Sequence, residues 1–338
     1  MKAVGYKTLL PIEAPDSLLD IELPIPLATD RDLLVEVRAV SVNPVDTKVR
    51  MRTEPEGTEY KVLGWDAAGV VKAAGPNCAL FKPGDEVYYA GSIARSGSDA
   101  EFQLVDERIV GIKPKSLNFT QAAALPLTSI TAWELLFDRF GIVRGQASMI
   151  GGSLLIIGGA GGVGSILIQI ARKLTGLTVI ATASRPETQA WCHALGAHYV
   201  IDHNKEFAEQ LRSIGFAQVE LIASLTATGK HYPALIEVLA PQGKFGLIDD
   251  LPSLDAMPLK RKAVSLHWEY MFARSFFHTP DMIAQHELLN QVSTLVDAGV
   301  LRTTVAHELG IINAANLKKA HALIESGRSH GKIVLAGF

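Results

Sequence analysis

Six residues, Gly159-Ala160-Gly161-Gly162-Val163-Gly164, match G-x-G-x-x-G directly after the apolar run SLLIIG, a strand, and at the start of the helix that continues as ILIQIARKL. In that setting the chemistry is anion binding. Glycine lets the backbone turn tightly and approach a pyrophosphate, while the helix start offers unpaired N–H groups and the positive end of its dipole. Gly159, Ala160, Gly161, Gly162, Val163 and Gly164 are therefore expected to cradle a dinucleotide. A site for NAD places a carboxylate about twenty residues further on, to accept from the ribose hydroxyls. Here that position falls at Ala183, followed by Ser184 and Arg185, and no carboxylate occurs before Glu187. A hydroxyl and a guanidinium hold a 2′-phosphate, which a carboxylate would repel, so the expected cofactor is NADPH. The plainer alternative for Arg185 is a solvated loop arginine. His203, after the strand YVID, is either a further contact to the adenosine phosphate or a surface histidine.

Those residues need a rigid support, and the hydrophobic pattern describes one. From Lys2 to about Arg108 short β-type runs (LLVEVRAVSVN, AAGVVKAAG, EVYYAG, EFQLV) alternate with turn residues such as Pro83-Gly84-Asp85, which predicts a compact, mainly antiparallel β domain. The N-terminal MKAVGY is expected to be an edge strand. Residues 120–137, TQAAALPLTSITAWELLF, have helical spacing and are expected to form one helix. Strands then alternate with helices: SLLIIG, ILIQIARKL, TVIATA, ETQAWCHAL, YVID, LIASL, KFGLI. Such alternation, with continuously apolar strands, predicts an α/β doubly wound parallel sheet covered on both faces. VSLHWEYMF, residues 264–272, is expected to be an edge strand that pairs two chains, or else a buried internal strand. Two helices and a final strand, KIVLAGF, would return to complete the first domain. The expected division is residues 1–128 with 271–338 for the β domain, and 129–270 for the dinucleotide domain.

Bulk properties exclude several partners. With 338 residues, 35 acidic and 32 basic, and no block of like charge, the chain has no electrostatic footprint for nucleic acid or an anionic membrane. The uncharged run 149–171 is long enough to cross a bilayer, but Gly158, Gly159, Gly161, Gly162 and Gly164 interrupt it, so it is expected to be buried in protein. Two cysteines, Cys78 and Cys192, rule out a disulfide scaffold and suit a reducing compartment. Between Lys7 and Pro11 lie only Thr8, Leu9 and Leu10, too few for a signal-peptide core, and a cytoplasmic location is expected.

VNPVD at residues 42–46, GWDAAG at 64–69, KPGDEV, PLTSITAW, GGAGGVG and the terminal GKIVL occur in an order that resembles the medium-chain dehydrogenase/reductase superfamily along essentially the whole chain. The resemblance implies a GroES-like catalytic domain beside a Rossmann domain, an NADPH-dependent oxidoreductase, a small-molecule substrate in the cleft between domains, and a homodimer. Within the superfamily the chain is similar to the zinc-independent quinone oxidoreductases. Where zinc alcohol dehydrogenases carry a cysteine ligand this chain has Asn43, with Asp46 following, and where they have G-H-E it has Gly64-Trp65-Asp66. Indole N–H cannot ligate a metal, and no metal site is expected. Without a Lewis acid, a quinone or enone that spreads incoming charge over its own π system is the easier acceptor. The resemblance then implies Asn43 as donor to a substrate oxygen, Trp65 as an apolar wall, Asp46 and Asp66 as organisers of the site, and Thr128 or Thr131 near the nicotinamide. A family aromatic residue after NPVD is replaced by Thr47-Lys48, so no general acid is assigned. Two alternatives stand beside the quinone reductase: a 2-alkenal or enone double-bond reductase, and a non-catalytic NADPH-binding protein.

Overall fold

The computed structural model describes residues 1–55, 57, 59–145 and 152–338. Contacts divide the chain into two units, Met1–Ile130 with Phe272–Phe338, and Thr131–Met271. In chain order the first unit begins with strands β1 (Lys2–Tyr6), β2 (Leu19–Glu22) and β3 (Asp32–Val42), helix α1 (Pro44–Arg52), then β4 (Lys61–Val62), β5 (Ala67–Ala74), β6 (Glu86–Tyr89), β7 (Phe102–Asp106) and β8 (Val110–Ile112). Helices α2 (Phe119–Ala123) and α3 (Pro126–Trp133) follow. The second unit alternates β9 (Ser153–Ile157), α4 (Gly162–Leu174), β10 (Thr178–Thr182), α5 (Pro186–Leu195), β11 (Tyr199–Ile201), α6 (Phe207–Ser213), β12 (Val219–Ser224), α7 (Thr228–Val238), β13 (Leu239–Leu247), α8 (Met257–Lys260) and β14 (Ser265–Trp268). Helices α9 (Ala273–Phe277) and α10 (Ala284–Asp297), strand β15 (Val305–Glu308), helix α11 (Ala314–Glu325) and strand β16 (Lys332–Ala336) return to the first unit.

In the first unit β3 organises the main sheet, ordered β15-β16-β3-β5-β6-β8 with β7 also on β3. Its eleven residues are long enough to use two partners on one side: Asp32–Glu36 pair β7 and Ala39–Val42 pair β16, both antiparallel. Val35, Val37, Ala39 and Val40 are buried, the expected payload of a β-branched run. The N-terminal strand departs from the sequence expectation. β1 is the middle strand of a small sheet, β2-β1-β4, rather than an edge. The reason is visible in its residues: Ala3, Val4 and Tyr6 are all buried, and strand pairing on both sides satisfies a backbone that water cannot reach.

The second unit is a six-stranded sheet, ordered β11-β10-β9-β12-β13-β14, with every pair parallel. β9 is buried along its whole length, which is why it reads as an unbroken apolar run, and Leu155, Ile180, Ile222 and Phe245 of adjacent strands share one core. Strand order reverses between β9 and β12, the switch point at which open parallel sheets bind ligands. Of the uncharged run, residues 149–151 lie outside the described residues; the rest is β9, the glycine turn and α4. Among the described residues no helix is long and apolar enough to cross a membrane.

The single helix expected over 120–137 is instead broken. α2 ends at Ala123, α3 starts at Pro126, and Glu134–Arg139 continue as a π-helix. Pro126 has no N–H for the preceding turn and disfavours helical φ/ψ at Leu125, whereas the first position of a new helix accepts it without loss.

Candidate functional site

In the second unit the glycines are required by geometry. Gly158 has φ +82°, and the turn is tied to β10 by the Gly158 N–H donating to Thr182 Oγ1 at 3.0 Å. A Cβ added at Gly159 would lie 2.7 Å from Ala181 Cβ, and one at Gly164 only 2.3 Å from the Gly158 carbonyl oxygen. The turn and α4 therefore pack against each other with no room for a side chain. Gly161 is the N-cap of α4, makes no side-chain cap, and no acidic residue occupies the first turn. The N–H groups of Gly162, Val163 and Gly164 belong to the turn that lacks intrahelical acceptors, so the site suits a phosphate group. Ala160 lies in the same turn. This cradle fits the pyrophosphate of a nicotinamide dinucleotide.

At the end of β10, Ser184 and Arg185 are half-buried, and Arg185 Nε pairs with Glu187 Oε1 at 2.9 Å. Both side chains of that pair are more than a third exposed, so it is a weak surface contact. His203 follows β11 and is half-buried. The structure adds two residues that sequence reasoning passed over: Lys230 and His231, at the start of α7, which bear on His203 by charge and by ring contact respectively. The signal was present as the cationic run Gly229-Lys230-His231 after a sheet strand, but the fold that brings it to His203 was not.

In the first unit the structure gathers Asn43, Asp46, Trp65 and Asp66 into one buried cluster. Asn43 Nδ2 donates to Asp66 Oδ2 at 2.9 Å and to the Ser41 carbonyl at 3.2 Å, and Asn43 Oδ1 accepts from Lys332 Nζ. The amide expected to serve a substrate oxygen thus has both hydrogens engaged within the chain. Lys332 also pairs with Asp66 Oδ2 at 3.0 Å, and Asp66 Oδ1 accepts the Leu127 N–H at 2.8 Å, holding the start of α3. Asp46 accepts from the Asn43 N–H at 2.6 Å and the Gly64 N–H at 3.0 Å. Gly64 has φ +96°, and a Cβ there would meet Ser98 Oγ at 2.6 Å, so only glycine brings that N–H to the carboxylate. Trp65 is fully buried, donates its indole N–H to the Ser92 carbonyl at 3.1 Å and stands edge-on to Phe272.

The electrostatics of this cluster are unbalanced. Asp46, Asp66 and Asp99 are all buried, against one buried ammonium, Lys332. Burial pushes Asp46 up to about 7 despite the Asn43 N–H and the Lys332 charge. Burial also raises Asp66, restrained chiefly by Lys332, and burial with the charge of Asp46 raises Asp99 well above the carboxylate range. Sequence reasoning gave neither Lys332 nor Asp99 a role. Thr128 is buried and donates to the Leu125 carbonyl at 3.2 Å; Thr131 is buried in the second unit.

Zinc does not suit these donors. An amide taken by Lys332 and an indole N–H stand at positions 43 and 65, and among the described residues no group of three His, Cys, Asp or Glu side chains is arranged to hold a metal ion.

Comparison with known proteins places these features in context. Residues 29–124 match the alcohol dehydrogenase GroES-like domain family and residues 195–335 the zinc-binding dehydrogenase family. A zinc-type alcohol dehydrogenase-like protein of Staphylococcus aureus (strain MRSA252) is 41% identical over 336 residues, covering 99% of each chain. The crystal structure of a provisionally named zinc-dependent alcohol dehydrogenase protein from Rhizobium etli CFN 42 superposes with a TM-score of 0.96 and 59% identity, over 100% of this chain and 98% of that one. An Escherichia coli quinone oxidoreductase complexed with NADPH shares the fold, with a TM-score of 0.84 and 23% identity over 99% of this chain and 100% of that one.

Proposed function

The chain belongs to the medium-chain dehydrogenase/reductase superfamily and is an oxidoreductase of that fold, and from this we propose that it reduces quinones or related conjugated carbonyls with NADPH, by hydride transfer without zinc. The chemistry at positions 43 and 65 carries the proposal. Neither an amide locked by Lys332 and Asp66 nor an indole N–H given to Ser92 can polarise an isolated ketone as a metal ion does. A conjugated acceptor makes the smaller demand, because its own π system takes up the charge.

When bound, NADPH supplies the hydride. Residues Gly159 to Gly164 hold the pyrophosphate on the α4 N-terminus, and Ser184, Arg185 and His203 hold the 2′-phosphate. Thr128 and Thr131 contact the nicotinamide region. Asn43, its amide taken up by Ser41, Asp66 and Lys332, braces the site rather than donating to the substrate oxygen, Trp65 supplies an apolar wall, and Asp46 fixes the Gly64 backbone beside it. The active form is a homodimer paired through the exposed edge of β14.

Anaerobic stopped-flow on chelator-treated protein tests the proposal. NADPH is expected to be oxidised by 1,4-quinones at a rate the chelator does not change. Faster turnover of 2-alkenals would shift the activity to enone reduction, and NADPH binding with no acceptor reduced would leave a non-catalytic binding protein. Loss of turnover on chelation, restored by zinc, would overturn the metal-free mechanism.

A further inference from the structure

The 2′-phosphate assignment accounts for a guanidinium and one histidine, but the structure sets a second histidine against the first. The rings of His203 and His231 meet edge to face with centroids 6.1 Å apart, and His231 meets Phe207 of α6 edge to face at 5.6 Å. His231 is buried and His203 half-buried. Three separate elements converge here: the turn after β10 with Arg185, the end of β11 with Asp202 and His203, and the first turn of α7 with Lys230 and His231. The charges bearing on His203 are Lys230, Arg185 and the opposing Asp202; those on His231 are Lys230 and His203 itself. Asp202 receives the Asn204 N–H, and Asp249 the Thr228 N–H at the head of α7. Glu187 pairs with Arg185 at this point, and burial together with Lys230 holds both imidazoles below their ordinary range, which favours their neutral forms.

We infer that His203 and His231 form a proton-linked part of the 2′-phosphate site, taking up protons when NADPH binds and so coupling the choice of NADPH over NADH to pH. The inference rests on the NADPH assignment above. A dianionic phosphate beside the pair adds negative charge within reach of both rings and favours the imidazolium forms. Protons are then taken up on binding at any pH between the free and bound titration ranges, and affinity for NADPH rises as pH falls through that interval. NADH has no 2′-phosphate and drives no such uptake.

Isothermal titration calorimetry of the full chain with NADPH and with NADH, in two buffers of unequal ionisation enthalpy, measures the uptake directly. On the order of one proton is expected per NADPH near pH 7 and close to none per NADH, with the NADPH Kd tightening about tenfold between roughly pH 8 and pH 6.5. His203→Gln and His231→Gln should each reduce the uptake and flatten the pH dependence; a far-UV spectrum and Tm like the parent's report that each variant is folded. If one variant does not fold, the other and the parent chain decide. Uptake that is absent, or that persists undiminished in both variants, overturns the inference. NADPH preferred at every pH with no proton uptake would leave the cofactor assignment standing and refute the linkage alone. NADPH never preferred would refute both.

Discussion

At the scale of single residues, the buried carboxylates set a pH dependence whose sign is fixed. Asp46 and Asp99 hold their protons more tightly in the folded chain than unfolded, so their contribution to stability is complete below the ordinary carboxylate range and is lost as pH rises, for Asp46 through about 7. Asp99 Oδ1 has no hydrogen-bond partner among the described residues, which makes this residue the cleanest probe. Asp99→Asn keeps the shape and removes the charge. Urea unfolding should show the variant about 1–3 kcal/mol more stable than the parent near pH 8 and nearly unchanged near pH 5. A loss at pH 8 would mean that the ionised form is used. Asn43, Asp46, Trp65 and Asp66 were legible in the sequence because each sits in a short motif. Their counter-charge was not, since Lys332 Nζ reaches Asn43 across 289 positions and nothing local marks it.

Among elements, the alternation of apolar strands and amphipathic helices was readable because burial on both faces writes itself into continuous hydrophobic runs. The break between α2 and α3 was visible only as Pro126, whose effect the helical spacing around it masked. The central place of β1 could not be read either: pairing on two sides depends on β2 and β4, whose residues carry no signal for that partner. The turn between β9 and α4 supports a sharper test. Gly164→Ala places a methyl group within 2.3 Å of backbone oxygen, an obstacle that cannot rotate away. The helix must move back from the turn, at a cost of about 1–3 kcal/mol, and lose its aim at the phosphate. NADPH fluorescence titration should show at least about a tenfold weaker Kd, with a lowered Tm in the same sample. Unaltered binding would place the pyrophosphate elsewhere.

For the whole molecule, β14 closes one side of the six-stranded sheet with no strand beyond it among the described residues, and Trp268 at its end is 51% exposed. An unpaired, partly apolar edge is a template for a second chain. Light scattering is expected to give twice the 36.4 kDa chain mass, and Trp268→Glu to shift the species toward one chain while leaving the far-UV spectrum unchanged. A monomeric parent chain would end the dimer proposal.

The strand carrying Lys332, β16, is made after β3 and after all of Thr131–Met271, yet it pairs with β3. Until β16 emerges, Lys332 is not there to meet Asp66, and the cluster around Asn43 stays open. Thr131–Met271, by contrast, is contiguous and complete much earlier. Synthesis in chain order therefore favours a nascent chain in which Thr131–Met271 is ordered while the other unit waits for β16, a birth order written by topology alone.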